Sequence, residues 1–343
     1  MASDSPHNVS SAAATGVVPP DASLAAPLGL LEKPPSCRST RVLAIVGPTA
    51  VGKSAVAMEV AARLRSEVVS ADSMQVYRQM DIGTAKPGPA TRRVPHHCID
   101  LVDPGEPFSA ALYQQAARTA IARITTRGSV PVLTGGTGLY VRAALDDMRF
   151  PAGKDVMGPA RKRYEDIAEQ EGGEALWRRL QQRDAASADA IHPNNIRRVV
   201  RALEMLDAGV SYAEQASGFD VRESIYDAVI IGLNAERTRL YERIDARVDL
   251  MIAEGLLAEV EQLMASGFTD ALTAQQAIGY KELVPVVEGT VALSDAIASI
   301  KRSTRRYAKR QLTWFRADPR IRWIDVADRP ATQVADDVLA LLA

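Results

Sequence analysis

Cysteine, histidine, aromatic residues and an excess charge of either sign are all scarce in this chain of 343 residues. Two cysteines, Cys37 and Cys98, make neither a disulfide framework nor a zinc site alone. Among the four histidines, His96, His97 and His192 have no neighbours that complete a ligand set, so they read as hydrogen-bonded structural residues. Phe, Trp and Tyr make up 5% of the chain, and Trp314 and Trp323 are expected to be core aromatics. No run of about 18 apolar residues occurs, so no membrane span is expected. The 41 Lys and Arg balance 42 Asp and Glu to a net charge of −1. No global basic field draws the protein onto nucleic acid, and any such binding must come from local patches.

What is present is an ordinary globular composition, 47% hydrophobic and 24% charged, which excludes collagen-like, coiled-coil and wholly disordered chains. At roughly 100–200 residues per domain the length fits two domains, or one domain with an insertion. Residues 1–40 hold no aromatic residue and are rich in Ala, Ser and Pro, so a flexible tail is expected there. From Arg41 the texture changes. Val42–Val46 reads as a buried strand, Ser54–Leu64 as a helix, Val68-Val69 as a second strand, Ala110–Thr126 as a helix and Val130–Leu133 as a strand. The strand signal fades from residue 149 to 226, where Arg and Glu accumulate in helical patterns, and returns at Ala228–Leu233 and Ile321–Ile324. Strands alternating with helices predict an α/β core with a mostly parallel sheet, residues 41–148 and 227–343, interrupted by a helical insertion, 149–226.

Gly47-Pro48-Thr49-Ala50-Val51-Gly52-Lys53-Ser54 matches the P-loop pattern in full, after a strand and opening a helix. The glycines let the backbone curl so that N–H groups converge on an anion, and the helix N-terminus adds partial positive charge. Lys53 supplies a point charge to terminal phosphate oxygens, and the Ser54 hydroxyl can ligate Mg²⁺. A P-loop reads polyphosphate without naming the bond to be broken. An apolar strand ending in a metal-holding Asp, usual in an ATPase or GTPase, is missing: Val130–Leu133 runs into Thr134-Gly135 and Ala228–Leu233 into Asn234. That favours a transferase. A nucleoside or small-molecule kinase, and a nucleotide-gated RNA-binding protein without chemistry, are the rival readings.

Ser70-Ala71-Asp72-Ser73-Met74-Gln75-Val76-Tyr77-Arg78 follows the second strand, and then Met80-Asp81-Ile82-Gly83-Thr84-Ala85-Lys86-Pro87. With the P-loop ahead and His96–Asp100, Gly135–Thr137, Ile191–Asn194, Arg201–Glu204, Ile278–Lys281 and Lys309–Trp314 behind, the chain strongly resembles the bacterial-type tRNA dimethylallyltransferases, across essentially everything after residue 40. It departs in its long tail, in Cys98 where an apolar residue is expected, and in lacking the C-terminal zinc finger of eukaryotic members. The resemblance implies a P-loop NTPase-like fold and transfer of a dimethylallyl group from its diphosphate to the exocyclic amine of the adenosine 3′ of the anticodon. The P-loop, residues 47 to 54 with Val51 among them, would hold the diphosphate together with Mg²⁺. The implied catalytic residues are Asp72 as base, Thr137 near the acceptor amine and bridging oxygen, and Arg247 on the diphosphate, with Arg243 four residues away on the same helical face of Thr238–Ile252. From its residues alone, Asp72 is equally a helix N-cap, Thr137 a turn residue, and Arg243 with Arg247 a solvated face partnered by Glu242 and Asp245.

The tRNA anticodon stem-loop is the implied partner. The resemblance assigns it Asp72, Ser73, Met74, Gln75, Thr137, Arg161, Arg197, Arg198, Val199, Val200, Arg201, Gln276, Ala277, Ile278, Gly279, Tyr280 and Lys281. A further cluster, Lys301, Arg302, Arg305, Arg306, Lys309 and Arg310, contains no acidic residue of its own and places positions 302, 305, 306 and 309 on one helical face, suited to phosphates or to solvent. A cytoplasmic, monomeric enzyme is expected.

Overall fold

The computed structural model describes residues 37–150, 159–266, 268 and 273–342, so most of the expected tail lies outside the described residues. Six strands form one parallel sheet in the order β3-β2-β4-β1-β5-β6. They are β1 (Cys37–Val46), β2 (Val68–Ser70), β3 (His96–His97), β4 (Val132–Gly135), β5 (Tyr226–Asn234) and β6 (Arg322–Asp325). The sheet is covered on both faces, which is why its central strands read as continuous apolar runs. Strand alternation divides them between two cores. Val42, Ala44 and Val46 of β1, with Val69, Leu133 and Ile230, belong to one core, and Leu43 and Ile45, with Val68, Val132 and Ile231, to the other. The first core includes residues of α2 (Ala110–Thr126), α3 (Gly138–Leu145), α10 (Leu256–Ala265), α11 (Tyr280–Val287) and α12 (Leu293–Arg316). The second includes residues of α1 (Lys53–Arg63) and α13 (Ala331–Leu342), and α9 (Arg237–Ala253) contributes to both.

β1 begins at Cys37, five residues before the expected strand start at Val42, with a register irregularity between Cys37 and Arg41 where it pairs with β5. β4 is shifted two residues toward its C-terminus because Thr134 and Gly135 go on pairing with β1 and β2. Gly135 is required there: a Cβ would lie 2.1 Å from the carbonyl oxygen of Ala71.

Between β4 and β5 the chain leaves the sheet through α4 (Pro159–Glu171), α5 (Gly173–Arg183), α6 (Ala185–Asp189), α7 (Ile196–Asp207) and α8 (Tyr212–Asp220). These helices close around a core of their own, built on Leu176, Leu180, Val199, Val200 and Leu203. At the base of the excursion the fully buried Asp146 receives Arg142 at 2.9 Å and Arg320 at 2.7 and 3.1 Å. Asp318 in turn holds Arg320 at 2.7 Å and Arg222 at 3.3 Å. A buried carboxylate needs such compensation, and two arginines fulfil it here.

Candidate active site

The carboxyl ends of parallel strands are where open α/β sheets bind ligands, and here that edge gathers the chemistry-bearing residues. The P-loop follows β1, Asp72 lies two residues beyond β2, Thr137 two residues beyond β4, and α9 follows β5. A cavity of about 380 Å³ is lined by Thr49, Lys53, Ser54, Asp72, Gly136, Arg243, Arg247, Tyr307 and Gln311, among others. Gly47 has φ of 142°, and a Cβ on it would come within 2.5 Å of the Leu233 carbonyl oxygen, so only glycine lets the loop pass this close to β5.

Lys53 curls back over the loop and donates to the Pro48 carbonyl at 2.6 Å. Desolvation, with a further push from Arg247, lowers its ammonium to about 7, and Asp72 offsets this only in part. Arg247 is likewise lowered, by burial first, with Asp72 as the opposing charge. It makes no hydrogen bond or close ion pair among the described residues. Two under-compensated cations facing one cavity are the signature of a site for an anion. Arg243 differs: it lines the same cavity, but its guanidinium donates to the Ala327 carbonyl at 2.6 Å and faces Asp328 at 3.4 Å. The bland partners named for this face are also engaged elsewhere, Glu242 with Arg239 and Asp245 with Arg305.

Asp72 is half-buried, and its Oδ1 accepts from the Met74 N–H at 2.9 Å. This is a local turn; no helix begins there, so the N-cap alternative falls away. Thr137 opens α3 without capping it, and its hydroxyl accepts from the Ser73 N–H at 3.1 Å. Tyr307 of α12, which no motif singles out, also lines this cavity, together with Gln311. Burial, and then the Asp72 charge, push that phenol up to about 12, so it is a neutral donor at ordinary pH. Gln311, also passed over, is buried between the P-loop and the β4 loop.

The segment bearing Asp72 is braced from below. The buried ammonium of Lys86 donates to the Tyr77 carbonyl and to the carboxylates of Asp81 and Asp100. Glu259 of α10 accepts the backbone N–H groups of Asp81, Ile82 and Gly83. Gln75 is buried, accepting from Ser70 Oγ and donating to the Thr84 carbonyl, while Ser73 and Met74 are half-buried beside it. His96, His97 and His192 are hydrogen-bonded, to the Val94 carbonyl, to Glu67 and to the Asn194 N–H respectively.

The residues assigned to RNA divide sharply. Arg197, Arg198, Arg201, Gln276 and Lys281 are exposed. Val199 and Val200 are not: they face the core of the insertion, because an amphipathic helix turns alternate faces inward. Ala277 and Tyr280 are buried likewise, and the Tyr280 hydroxyl donates to Glu259 at 2.5 Å. Ile278 is partly buried on the same core, and Gly279, at φ of 98°, precedes α11 as its N-cap. Arg161 is largely buried and paired with Glu204 at 3.2 Å. Trp314 and Trp323 reverse the expectation made for them, being 46% and 37% exposed. On α12 the acidic partners missing from the local sequence come from α9: Asp249 holds Lys301 and Asp245 grips Arg305 through two nitrogens. Arg302, Arg306, Lys309 and Arg310 remain exposed.

A parallel α/β sheet whose carboxyl edge sets unpaired cations opposite a single carboxylate defines a group-transfer enzyme acting on an anionic substrate. Sequence models of the families described as IPP transferase and isopentenyl transferase match residues 75–318 and 40–94. The chain belongs to the IPP transferase family, the tRNA dimethylallyltransferases. It is 47% identical over 300 residues to tRNA dimethylallyltransferase 2 of Syntrophus aciditrophicus, covering 87% of this chain and 94% of that protein. It is 50% identical over 289 residues to the tRNA dimethylallyltransferase of Exiguobacterium sibiricum, covering 83% and 89%. The crystal structure of the tRNA isopentenylpyrophosphate transferase of Bacillus halodurans matches with a TM-score of 0.64 at 44% identity, over 88% of this chain and 96% of that one. A eukaryotic dimethylallyltransferase described as acting on tRNA matches with a TM-score of 0.72 at 29% identity, over 88% and 80%.

Proposed function

We propose that this enzyme transfers the dimethylallyl group of dimethylallyl diphosphate to the exocyclic amine of the adenosine 3′ of the tRNA anticodon, releasing diphosphate. The observation that carries the reading is the pair of under-compensated cations, Lys53 and Arg247, placed with Asp72 around one cavity. In the reaction the allylic C–O bond breaks and its electron pair leaves on the diphosphate. The amine nitrogen forms the new bond to carbon and loses a proton to Asp72. The C–O bond breaks readily because the allylic cation is delocalised, so the main demand is stabilising the departing charge, which falls to the P-loop N–H groups, Lys53 and Arg247. An adenine amine is a poor nucleophile, and a positioned base is typically worth about 10²–10⁴-fold. In this reading the Thr137 hydroxyl assists the bridging oxygen.

The fold is read as P-loop NTPase-like, with the phosphate cradle used for a prenyl diphosphate. Ser54, exposed in the first turn of α1 and lining the cavity, suits Mg²⁺ as an oxygen donor. No group of three or more His, Cys, Asp and Glu forms a metal cage among the described residues. When bound, Mg²⁺ supplies further neutralisation of the leaving group. The amine is accessible only outside a base stack, so the adenosine is flipped from its loop, with the insertion (149–226), the exposed Arg197, Arg198 and Arg201, and the outer face of α12 holding the stem-loop. The reading assigns a cytoplasmic monomer. No helix among the described residues is long and apolar enough to cross a membrane.

Mass spectrometry of an anticodon stem-loop incubated with enzyme, Mg²⁺ and dimethylallyl diphosphate tests this reading. One added prenyl unit on the target adenosine is expected. Phosphorylated RNA with ATP, and no prenylated RNA, would favour a kinase.

Two further outcomes follow from the charges. A bound diphosphate restores Lys53 to its charged form, so above about pH 7 binding must take up a proton, and affinity falls about tenfold per pH unit until the bound-state value is reached. Below that range Lys53 is already charged and contributes no such dependence. Calorimetry near pH 8 in buffers of different ionisation enthalpy is expected to show uptake approaching one proton, abolished in Lys53→Arg, which is permanently charged. Equal apparent enthalpies for the wild type in all buffers would refute it. On α12, Arg306→Ala with Lys309→Ala is expected to lower the slope of log affinity against log salt by about 1.4, at ~0.7 per single-strand phosphate contact. Arg305→Ala, whose charge Asp245 already holds, leaves the slope nearly unchanged. An unaltered slope in the double variant assigns this face to solvent.

A further inference from the structure

Gln311 stands in the C-terminal third of α12, 5% exposed, on the inward stripe that otherwise reads Ala296, Ile300, Ala308 and Phe315. A primary amide on an apolar stripe has to be satisfied, and this one is satisfied across the cleft. Its Oε1 accepts the Thr49 N–H of the P-loop at 2.8 Å, and its Nε2 donates to the Gly136 carbonyl of the β4 loop at 2.9 Å. The fit leaves no slack: a Cβ on Gly136 would meet Nε2 at 2.1 Å. Thr49 lies inside the diphosphate cradle, beside Ala50 at φ of 63°, and Gly136 immediately precedes Thr137. One side chain therefore ties the half of the site that grips the leaving group to the half that carries the Thr137 hydroxyl, which itself holds the Ser73 N–H next to Asp72.

We infer that Gln311 is a positioning residue for prenyl transfer, a strut that fixes the span between the diphosphate cradle and the groups around the acceptor amine. The inference rests on the transfer reaction proposed above. It matters because the allylic carbon must cross that span: it leaves an oxygen held by the P-loop and is captured by a nitrogen held beside Asp72 and Thr137. A misplacement of about 1 Å costs on the order of 10²-fold in rate. It has a second consequence, because a carbocation that fails to meet the amine is open to water. Dimethylallyl diphosphate and water then give dimethylallyl alcohol, diphosphate and a proton, with water's oxygen forming the new C–O bond. The strut thus sets fidelity as well as rate.

Gln311→Met matches the side chain in length and removes both hydrogen bonds; Gln311→Glu keeps the acceptor for Thr49 and sets a carboxylate oxygen against the Gly136 carbonyl. In both, kcat for RNA prenylation is expected to fall about 10–100-fold while KM for dimethylallyl diphosphate and stem-loop affinity stay within about threefold. The ratio of dimethylallyl alcohol to prenylated RNA, counted from carbon-labelled donor, is expected to rise at least several-fold. Equal melting temperatures of wild type and either variant establish that the fold is intact. An unchanged alcohol-to-product ratio in a folded variant overturns the inference, as does a rise in KM that accounts for the whole loss. Absence of prenylated RNA from the wild type would instead overturn the proposed reaction.

Discussion

Asp72→Asn is expected to lower kcat by about 10²–10⁴-fold while leaving the affinities for stem-loop and prenyl donor within about threefold. Asparagine is the informative substitution because of what Asp72 does structurally. Its Oδ1 accepts the Met74 N–H and shapes the turn that leads into Ser73 and Gln75. An amide oxygen keeps that bond, whereas Asp72→Ala loses the turn as well as the base. The Lys86 and Glu259 braces below are untouched by either change. What Asn cannot do is take the amine proton as the N–C bond forms. Single-turnover quench experiments, which separate chemistry from product release, are the measurement. Near-wild-type single-turnover rates in Asp72→Asn would remove this residue from the mechanism.

Arg247→Ala is expected to lower kcat/KM for dimethylallyl diphosphate by about 10²–10³-fold, the usual cost of losing one charge-stabilising group at a leaving oxyanion. Arg243→Ala is expected to change it far less. The two arginines share a helix face, and the sequence treats them alike, but their surroundings do not. Arg243 already donates to Ala327 and Asp328, whereas Arg247 has only the more distant Asp72 to balance it. In the free enzyme Arg247 and Lys53 repel each other across the cavity, an arrangement that a polyanion relieves on binding. Removing Arg247 should consequently raise the Lys53 ammonium and diminish proton uptake on diphosphate binding. Equal losses in the two variants would mean that helix α9 contributes charge diffusely and that no single arginine contacts the leaving group.

The parts of the fold that local pattern dictates could be read from the sequence. β1, the glycine loop and α1 form one contiguous signal, and α2 spans Ala110–Thr126 as its pattern predicts. β3 escaped because two residues carry no periodicity; His96 and His97 pair with β2 for reasons visible only in the sheet. Within the segments assigned to RNA, Val199, Val200, Ala277 and Tyr280 are buried, because a motif marks a segment whereas burial selects alternate faces within it. Arg305 and Lys301 looked unpaired because their carboxylates, Asp245 and Asp249, lie 60 and 52 residues away on α9. Tyr307 and Gln311 were missed for the same kind of reason. Their partners in the P-loop and β4 loop are brought near only by the packing of α12, although a glutamine in an apolar helical stripe is a signal that could have been followed. The loops at the strand ends could be read locally, whereas the bridge that α12 makes between two of them could not.

The central claim is that the glycine-lined cradle retains the diphosphate while the carbon chain departs to RNA. Donor labelled with ¹⁴C in the dimethylallyl group and ³²P in the diphosphate tests it in one reaction. The account predicts ¹⁴C in the RNA at one label per target adenosine, with all ³²P released as inorganic diphosphate. Recovery of ³²P covalently attached to the RNA would contradict it.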